Sequence, residues 1–335
     1  MNQTMRAMVA TGFGGPEVLQ LRQVARPSPG PGQVLLRVRA SSVNPIDTKI
    51  RRGALAHLAP EPMIPGCDAA GEVVAAGPQS PWQLGDRLMT CGAGVKGHPG
   101  GLAEYLLAEA NLCAPCPAGL SWETCAALPL VGLTAEEGLT RGGVCAGQRV
   151  LVHAGTGGVG QIAIQLAKER GAEIWTTVST PEKAAMALDL GADGVIFYRE
   201  QTVAEYVQEI TGDAGFDVVF DTVGGDNVAR CFEAAAVSGT VVSISTRTTA
   251  DLSPLHAKGI SLHVVFMVIP LLYNFPGTRD AQGKTLAHLS QLAAAGKIKP
   301  LLDSHVFPFE EAGAAHALLE SGSAFGKVTL TGFPD

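Results

Sequence analysis

A glycine-rich turn is the feature of this sequence with the clearest chemical meaning. Residues 150–153 read as a buried strand, Gly155, Thr156, Gly157, Gly158, Val159 and Gly160 follow, and residues 161–170 read as a helix. In this GxGxxG spacing the first glycine permits a tight turn and the second lets the backbone approach a pyrophosphate. The third lets the helix pack close to the strand. Amide donors and about half a positive charge at the helix N-terminus favour the same anion. The turn therefore predicts a bound dinucleotide.

The end of the next predicted strand indicates which nicotinamide cofactor binds. Enzymes that use NAD place an Asp or Glu there, about 20 residues beyond the turn, to bond the ribose hydroxyls. This strand instead ends at Ser179 and Thr180, with Lys183 one helical turn later. A hydroxyl and an ammonium suit a 2′-phosphate, so the sequence favours NADPH. The same residues also fit a plain helix start, with Ser179 or Thr180 as N-cap and Pro181 in the first turn. Capping leaves Lys183 available, so both interpretations can hold.

Cysteine and histidine spacing gives little support for a metal site. Cys113 and Cys116 form a CxxC pair, but a structural zinc needs four ligands, and Cys91 is too distant in sequence to complete the pattern. The eight histidines are dispersed, with no HxH or HxxxH pair. We therefore expect Cys113 and Cys116 to be packing residues and predict no bound metal.

The secondary-structure elements that must position these residues lie in two regions of the chain with different sequence patterns. From residue 5 to about 116, short β-rich runs punctuated by Pro and Gly predict a mostly β domain. From Val150 onward, strand-like runs alternate with helix-length segments, which predicts an α/β domain with a parallel, doubly wound sheet. The predicted strands are 150–154, 173–179, 194–198, 217–221, 240–245 and 260–266, and the predicted helices begin near 159, 181, 202 and 226. A helix at 310–319 and a strand at 327–331 then return to the first domain or form a small separate cap.

Composition excludes several classes of function. The 335 residues suggest about two domains, and 46% apolar residues with a mean hydropathy of +0.21 supply ample buried cores. A net charge of -7 disfavours nucleic acid as a partner. The longest apolar stretch, 264–272, is far below the ~20 residues that a bilayer requires. Seven scattered cysteines and a start without an apolar signal core predict a reducing cytoplasm.

Ordered motifs along essentially the whole chain resemble those of the medium-chain dehydrogenase/reductase superfamily, in its zinc-independent quinone oxidoreductase branch. They are residues 42–49, 64–71, 84–87, 101–105, 128–135, 150–160, 196–200, 216–225 and 325–327. The resemblance implies a GroES-like β domain at 1–124, a Rossmann NADP-binding domain at 125–265 and a return to the first domain at 266–335. It also implies a cleft that receives NADPH and a small carbonyl compound.

The resemblance assigns candidate roles by position. Asn44, Asp47 and Thr134 resemble residues beside the nicotinamide, where they form the catalytic set. Ser179, Lys183 and Tyr198 resemble residues around the 2′-phosphate, and Val223 belongs to the cofactor-binding motif at 216–225.

Several of these assignments have a structural alternative. Asn44 either donates to a substrate carbonyl oxygen or caps its own loop. Asp47 is expected to order that loop rather than transfer protons, and Tyr198 is alternatively a core residue. Lys49 stands where many quinone oxidoreductases have Tyr, and it either binds an anionic or carbonyl substrate or projects into solvent.

The resemblance also argues against zinc. Alcohol dehydrogenases of the superfamily bind catalytic zinc through a Cys, a Gly-His-Glu and a later Cys, where this chain has Asn44, Cys67 with Asp68, and Leu130. Without a Lewis acid, a quinone or an alkene conjugated to a carbonyl is a better hydride acceptor than a simple ketone.

We therefore expect NADPH-dependent reduction of a quinone or enone. A zinc-type alcohol dehydrogenase and a non-catalytic NADPH-binding or sensor protein are the alternatives. The family also implies a homodimer. The apolar run at 260–272 is either a paired edge strand or a buried strand followed by a hydrophobic lid.

Overall fold

The computed structural model describes residues 3–273, 275 and 277–334, which divide into two compact units. The first unit, here called the outer unit, comprises Met1–Leu130 and Val268–Asp335. The second, here called the central unit, comprises Val131–Met267. The domain boundaries expected from the sequence were 124/125 and 265/266.

The amino-terminal part of the outer unit is mostly β-structure. Its elements are β1 (Thr4–Ala10), β2 (Leu19–Ala25), β3 (Gln33–Ser42), α1 (Pro45–Arg51), β4 (Asp68–Ala76), β5 (Arg87–Cys91), β6 (Tyr105–Glu109), β7 (Cys113–Pro115) and α2 (Trp122–Ala127). The next helix, α3 (Pro129–Arg141), leads into the central unit.

Strands and helices alternate through the central unit. They are β8 (Arg149–Val152), α4 (Gly158–Glu169), β9 (Glu173–Val178), α5 (Pro181–Asp189), β10 (Gly194–Phe197), α6 (Val203–Thr211), β11 (Phe216–Asp221), α7 (Asn227–Ala234), β12 (Ala235–Ser243), α8 (Ser253–Lys258) and β13 (Ser261–Val264). Local signals define their ends: at α6, for example, Thr202 and Glu205 form a capping box and Gly212 ends the helix in the left-handed region.

The carboxyl-terminal segment adds three helices and two strands to the outer unit. They are α9 (Ile269–Tyr273), α10 (Thr278–Ala294), β14 (Leu302–Pro308), α11 (Ala312–Ser321) and β15 (Lys327–Thr331). The strand β15 pairs antiparallel with β3, in the register Leu330 with Ser41, and parallel with β14. The segment therefore completes the sheet of the outer unit, whose strand order is β14-β15-β3-β4-β5-β7, with β6 also paired to β3.

The six strands of the central unit form a parallel sheet in the order β10-β9-β8-β11-β12-β13. β8, the first of these six strands along the chain, lies in the middle of the sheet, and the strand order reverses between β8 and β11. In such sheets ligands bind at the carboxyl ends of the strands where the order reverses. The α/β class and the doubly wound parallel sheet predicted from the sequence are confirmed.

Each unit has its own apolar core. In the outer unit, Phe309 and Phe333 meet edge to face at 5.3 Å between ring centroids. In the central unit, Phe216, Phe232 and Tyr206 pack between the sheet and its helices. Within the described residues, no helix is both long and apolar enough to cross a membrane.

Candidate functional site

The glycine turn of the central unit lies at the carboxyl end of β8. A Cβ on Gly155 would lie 2.1 Å from the Thr176 Oγ1, and a Cβ on Gly160 would lie 2.3 Å from the Ala154 carbonyl oxygen. Both positions therefore require glycine for close packing. The tight-turn role expected of Gly155 belongs instead to Ala154, which has a φ of 52°.

The start of α4 remains open at this turn. Gly157 is the N-cap and has no side chain to occupy the first-turn amides, and Gly157, Gly158 and Val159 are partly exposed, whereas Thr156 is buried. Because the first four amides of a helix have no partner within it, these groups can bind an anion. The partly exposed backbone amides at the start of α4 therefore fit a dinucleotide pyrophosphate.

Residues predicted for the 2′-phosphate follow two neighbouring strands. Val178 and Phe197 are register partners in β9 and β10, so Ser179 and Tyr198 leave the sheet at the same edge. Tyr198 is 43% exposed, so the alternative of a core tyrosine is wrong.

At the start of α5, the residue that caps the helix differs from the residues predicted to bind the 2′-phosphate. Thr180 caps the helix by accepting the Lys183 backbone amide at 3.3 Å, and Pro181 occupies the first turn. Ser179 is therefore not the cap, and the Lys183 side chain is half-buried in the first turn. Arg199, whose guanidinium lies 5.7 Å from the Tyr198 ring centroid, is a further cation at this edge that sequence analysis did not select.

Val223 lies in a loop that a buried carboxylate holds beside β8. The Asp221 Oδ1 accepts from the Val223 and Gly224 amides, both at 3.0 Å, which leaves the Val223 side chain 53% exposed. The Thr222 hydroxyl donates to the His153 carbonyl oxygen at 2.6 Å and so ties this loop to the end of β8. Burial lowers the pKa of His153 to about 4, so its ring stays neutral next to the glycine turn. Sequence analysis did not single out Asp221, although an aspartate ending a buried strand before two glycines was a usable signal.

Thr134 belongs to the central unit, where it is buried on α3. Asn44 and Asp47 belong to the outer unit, at the start of α1.

Asn44 is part of a buried charge cluster, consisting of Asn44, Asp68 and Lys327. The Asn44 Nδ2 donates to the Asp68 Oδ2 at 2.8 Å, and the Lys327 Nζ donates to the Asn44 Oδ1 at 2.5 Å. The Lys327 Nζ also lies 3.5 Å from the same Asp68 oxygen. Because none of the three is more than 3% exposed, both charges are shielded from water.

Neutral donors complete the surroundings of the Asp68 carboxylate. The Ser42 hydroxyl donates to Oδ2 and the Leu130 amide donates to Oδ1, both at 2.8 Å. Sequence analysis had quoted Lys327 only as part of a family motif, because its partner Asp68 lies 259 positions away along the chain.

Asp47 holds the loop around this cluster. Its carboxylate accepts from the Asn44 amide at 2.8 Å and from the Gly66 and Cys67 amides at 3.2 Å each. Burial raises the pKa of Asp47 to about 6, although the hydrogen bond from the Asn44 amide acts in the opposite direction. Burial also raises the pKa of the Cys67 thiol well above its usual range. Lys49, two residues after Asp47, is exposed on α1.

These features define a class: a protein with a β-rich unit and a doubly wound unit whose glycine turn suits a dinucleotide. The description "Alcohol dehydrogenase GroES-like domain" matches residues 30–118, and "Zinc-binding dehydrogenase" matches residues 190–330. The human quinone oxidoreductase is 32% identical over 330 residues, covering 97% of each chain. The Arabidopsis thaliana NADPH-dependent alkenal/one oxidoreductase, a chloroplastic protein, is 33% identical over 98% of this chain and 80% of its own. The structure of an alcohol dehydrogenase superfamily protein from Novosphingobium aromaticivorans matches with a TM-score of 0.92 and 38% identity, covering 98% of this chain and 99% of the other. The chain therefore belongs to the medium-chain dehydrogenase/reductase superfamily, in its quinone oxidoreductase-like branch, and its β-rich unit is GroES-like.

The zinc in one of those descriptions does not fit the donors of this chain. Asn44 and Asp68 already share the Lys327 ammonium, so a divalent cation would meet a buried positive charge. Leu130 offers only its backbone, and its amide is a donor to Asp68. Within the described ranges, no three His, Cys, Asp or Glu side chains cluster closely enough to ligate one ion.

Proposed function

We propose that this protein is a zinc-independent, NADPH-dependent oxidoreductase that reduces a quinone or an α,β-unsaturated carbonyl compound. The buried Lys327 beside Asn44 and Asp68 is the observation that carries the proposal. By the resemblance, Asn44 and Asp68 stand at metal-ligand positions of zinc-dependent members, and in this chain both side chains contact a buried ammonium instead. A reductase built in this way needs an acceptor that takes hydride without a Lewis acid, as quinones and enones do.

The central unit supplies the residues that would hold the cofactor. The amides at Gly157, Gly158 and Val159 suit its pyrophosphate, and Ser179 with Lys183 and Tyr198 suits the 2′-phosphate. NADPH, when bound, supplies the hydride. The NADPH dependence of the Arabidopsis relative supports this choice of cofactor.

We propose that polar side chains of this chain orient the substrate and place hydrogen-bond dipoles next to its oxygen. The Asn44 amide nitrogen carries two hydrogens, of which Asp68 takes one, and we propose that the other serves a substrate oxygen. By the resemblance, we propose Thr134 of the central unit for the nicotinamide end of the cofactor. Asp47 orders the loop that holds Asn44, because its carboxylate binds three backbone amides.

Cofactor oxidation by a panel of acceptors tests the activity. The protein, NADPH and a set of ortho-quinones, para-quinones and 2-alkenals are mixed, and the absorbance of NADPH is followed. We expect turnover with at least one acceptor class and much slower turnover with simple ketones and alcohols. Tight NADPH binding without oxidation by any member of the panel would instead indicate a binding or sensor protein.

Replacement of Lys183 by Ala tests the choice of NADPH. Loss of one ammonium beside a phosphate should raise the KM for NADPH about tenfold and leave the KM for NADH nearly unchanged. Lys284→Ala, on the exposed surface of α10, is the control. Equal changes for both cofactors would remove the argument for a phosphate site at Ser179 and Lys183.

We also propose a homodimer formed through β13. This strand is at the end of the central sheet, and Val264 and Phe266 near its end are 45% and 38% exposed. A partly apolar sheet edge favours pairing with a second copy. Val264→Lys should convert a dimer to a monomer in sedimentation velocity. A wild-type protein that already sediments as a monomer would contradict the proposal.

A further inference from the structure

A small cavity lies in the outer unit beside α1. Asp47 and Arg51 contribute the charged groups of its wall, and Ile50, Met63 and Ile64 contribute apolar side chains. Its volume for the centre of a water molecule is about 10 Å³, close to the minimum that one bound water occupies. The cavity is therefore too small for a cofactor or a carbonyl substrate, and its occupant has about one heavy atom.

The guanidinium of Arg51 has hydrogen-bond donors available at this cavity. The Arg51 side chain is fully buried, and its Nη2 donates to a carboxylate oxygen of Glu320 on α11. Among the residues that the structure describes, the Arg51 Nε and Nη1 have no hydrogen-bond partner. Because a buried donor without a partner is destabilising, these two groups indicate a bound acceptor.

Asp47 supplies an acceptor on the same face of α1. It precedes Arg51 by four residues, so the two side chains are neighbours one helical turn apart, and both line the cavity. Their protein partners are different, since Asp47 accepts backbone amides and Arg51 binds Glu320. The Asp47 Oδ2 accepts the Asn44 amide at 2.8 Å, and a carboxylate oxygen has two lone pairs. A molecule between the two side chains can therefore accept from Arg51 and donate to Asp47.

The charges around the cavity favour a neutral molecule. Glu320 already compensates Arg51, and the Arg52 Nε, on a side chain that is 62% exposed, lies 3.4 Å from the same Glu320 oxygen. His316 on α11 adds no charge, because burial lowers its pKa to about 3. A halide would therefore face the Asp47 carboxylate, and a metal cation would face the Arg51 guanidinium. Water, which both donates and accepts hydrogen bonds, suits the two groups together.

We propose that this cavity binds one water molecule, which accepts a hydrogen bond from Arg51 and donates one to Asp47. Arg51 is then a positioning residue, because through the water it restrains the carboxylate that holds the loop of Asn44. The water site is independent of the proposed oxidoreductase activity. The value of Arg51 for Asn44 as a donor to substrate rests on that proposed function.

A high-resolution crystal structure of the wild-type protein, grown with bromide in place of chloride, tests the site directly. We expect one ordered water within about 3.2 Å of an Arg51 nitrogen and of the Asp47 Oδ2. Anomalous scattering at the cavity would identify a halide and overturn the proposal, as would a cavity without ordered density. Neither cofactor nor acceptor is needed, so failure of the acceptor panel leaves this result unaffected.

Carboxylate NMR with isotope-labelled aspartate tests the positioning role, and Asp47→Asn assigns the signal. Arg51→Gln removes the positive charge that the water joins to Asp47, so it should raise the pKa of Asp47 by about 1. Arg51→Lys keeps the charge and should leave this pKa within about 0.3 of the wild-type value. Arg52→Gln, at the exposed neighbouring position, is the matched control and should also leave it within about 0.3.

A purely structural role of Arg51 predicts the opposite sign. A loosened loop would admit solvent to Asp47 and so reverse the rise in pKa that burial causes. The other groups that face Asp47, namely Cys67, Asp68 and Lys327, are the same in all these arginine variants. A lower or unchanged pKa of Asp47 in Arg51→Gln would therefore overturn the positioning role. If that variant fails to fold, the water contacts in the wild-type crystal structure decide the matter.

Discussion

Replacing Lys327 by Met is the most informative perturbation of the buried charge cluster. Methionine keeps the length and apolar stem of lysine but removes the ammonium, which lies 2.5 Å from the Asn44 Oδ1 and 3.5 Å from the Asp68 Oδ2. The Val43 carbonyl oxygen loses its donor at 3.2 Å as well. The substitution therefore leaves the packing volume nearly constant and isolates the effect of the charge.

The expected cost follows from what remains around Asp68. Its carboxylate has no exposed surface and would keep only neutral donors, from Ser42, Asn44 and Leu130. Removing one partner of a buried ion pair typically costs about 3–5 kcal/mol. Because three hydrogen bonds remain, we expect the lower part of this range, about 3 kcal/mol in the free energy of unfolding.

Urea unfolding followed by circular dichroism measures this cost, and a second variant shows its origin. Asp68→Asn combined with Lys327→Met removes both charges, so the double variant should be more stable than Lys327→Met alone. Lys284→Met, on the exposed face of α10, serves as the control and should change stability by less than about 0.5 kcal/mol. A double variant less stable than Lys327→Met would refute the reasoning, since the cost would then not come from an uncompensated carboxylate.

Two further predictions concern Asp47 and the glycine turn. The folded-state pKa of Asp47 is about 6 against an ordinary 3.8, so the native state holds this proton more tightly. Its contribution is fully present below about pH 4 and is lost as the pH rises to about 6, a change of about 3 kcal/mol. Asp47→Asn should lack this loss, and a stability difference from wild type that stays constant from pH 4 to 7 would contradict the prediction. Gly155→Ala should destabilise the protein by about 1–3 kcal/mol and weaken NADPH binding, because its Cβ would lie 2.1 Å from the Thr176 Oγ1. Gly12→Ala, where a Cβ has open space, is the control, and equal thermal shifts for both variants would argue against the packing explanation.

The central unit was the most predictable part of the fold. Its strands are short and apolar, and glycines end its first two helices, so local signals agree with the tertiary structure. The helix α4 begins at Gly158, one residue from the predicted start, and α5 begins at the predicted Pro181. Strand ends were less accurate, because Ala154 was included in the first strand although its positive φ belongs to the turn.

The helix α10 was not predicted, for a physical reason. Gly283 interrupts its pattern and has low intrinsic helix propensity. The glycine is required by a long-range contact, since a Cβ there would lie 1.9 Å from the Asn111 carbonyl oxygen. A tertiary constraint of this kind has no local signature.

The candidate site also contains parts with a local sequence signal and parts that depend on long-range contacts. The glycine turn between β8 and α4 and the position of Ser179 at the end of β9 could be predicted from local sequence, because both depend on backbone geometry at strand ends. Their cofactor-binding roles stay predictions. The partners of Asn44 could not, because Asp68 and Lys327 come to it from β4 and β15, far apart in the chain. The sequence predicted only that the Asn44 side chain could donate a hydrogen bond. The structure shows that its nitrogen donates to the Asp68 carboxylate and that its oxygen accepts from the Lys327 ammonium.

The charges around Asn44 limit which hydride acceptors the outer unit could stabilise. The Lys327 ammonium is engaged by Asp68 and by the Asn44 carbonyl oxygen, so it presents no free positive charge to an oxygen that becomes negative during hydride transfer. Asp47, with a pKa of about 6, adds negative charge at pH 7 rather than removing it. A strongly basic alkoxide, as formed from a simple ketone, would therefore receive little stabilisation there. The reduced forms of quinones and enones are weakly basic and delocalised, and for this reason we propose them, rather than simple ketones, as the acceptors.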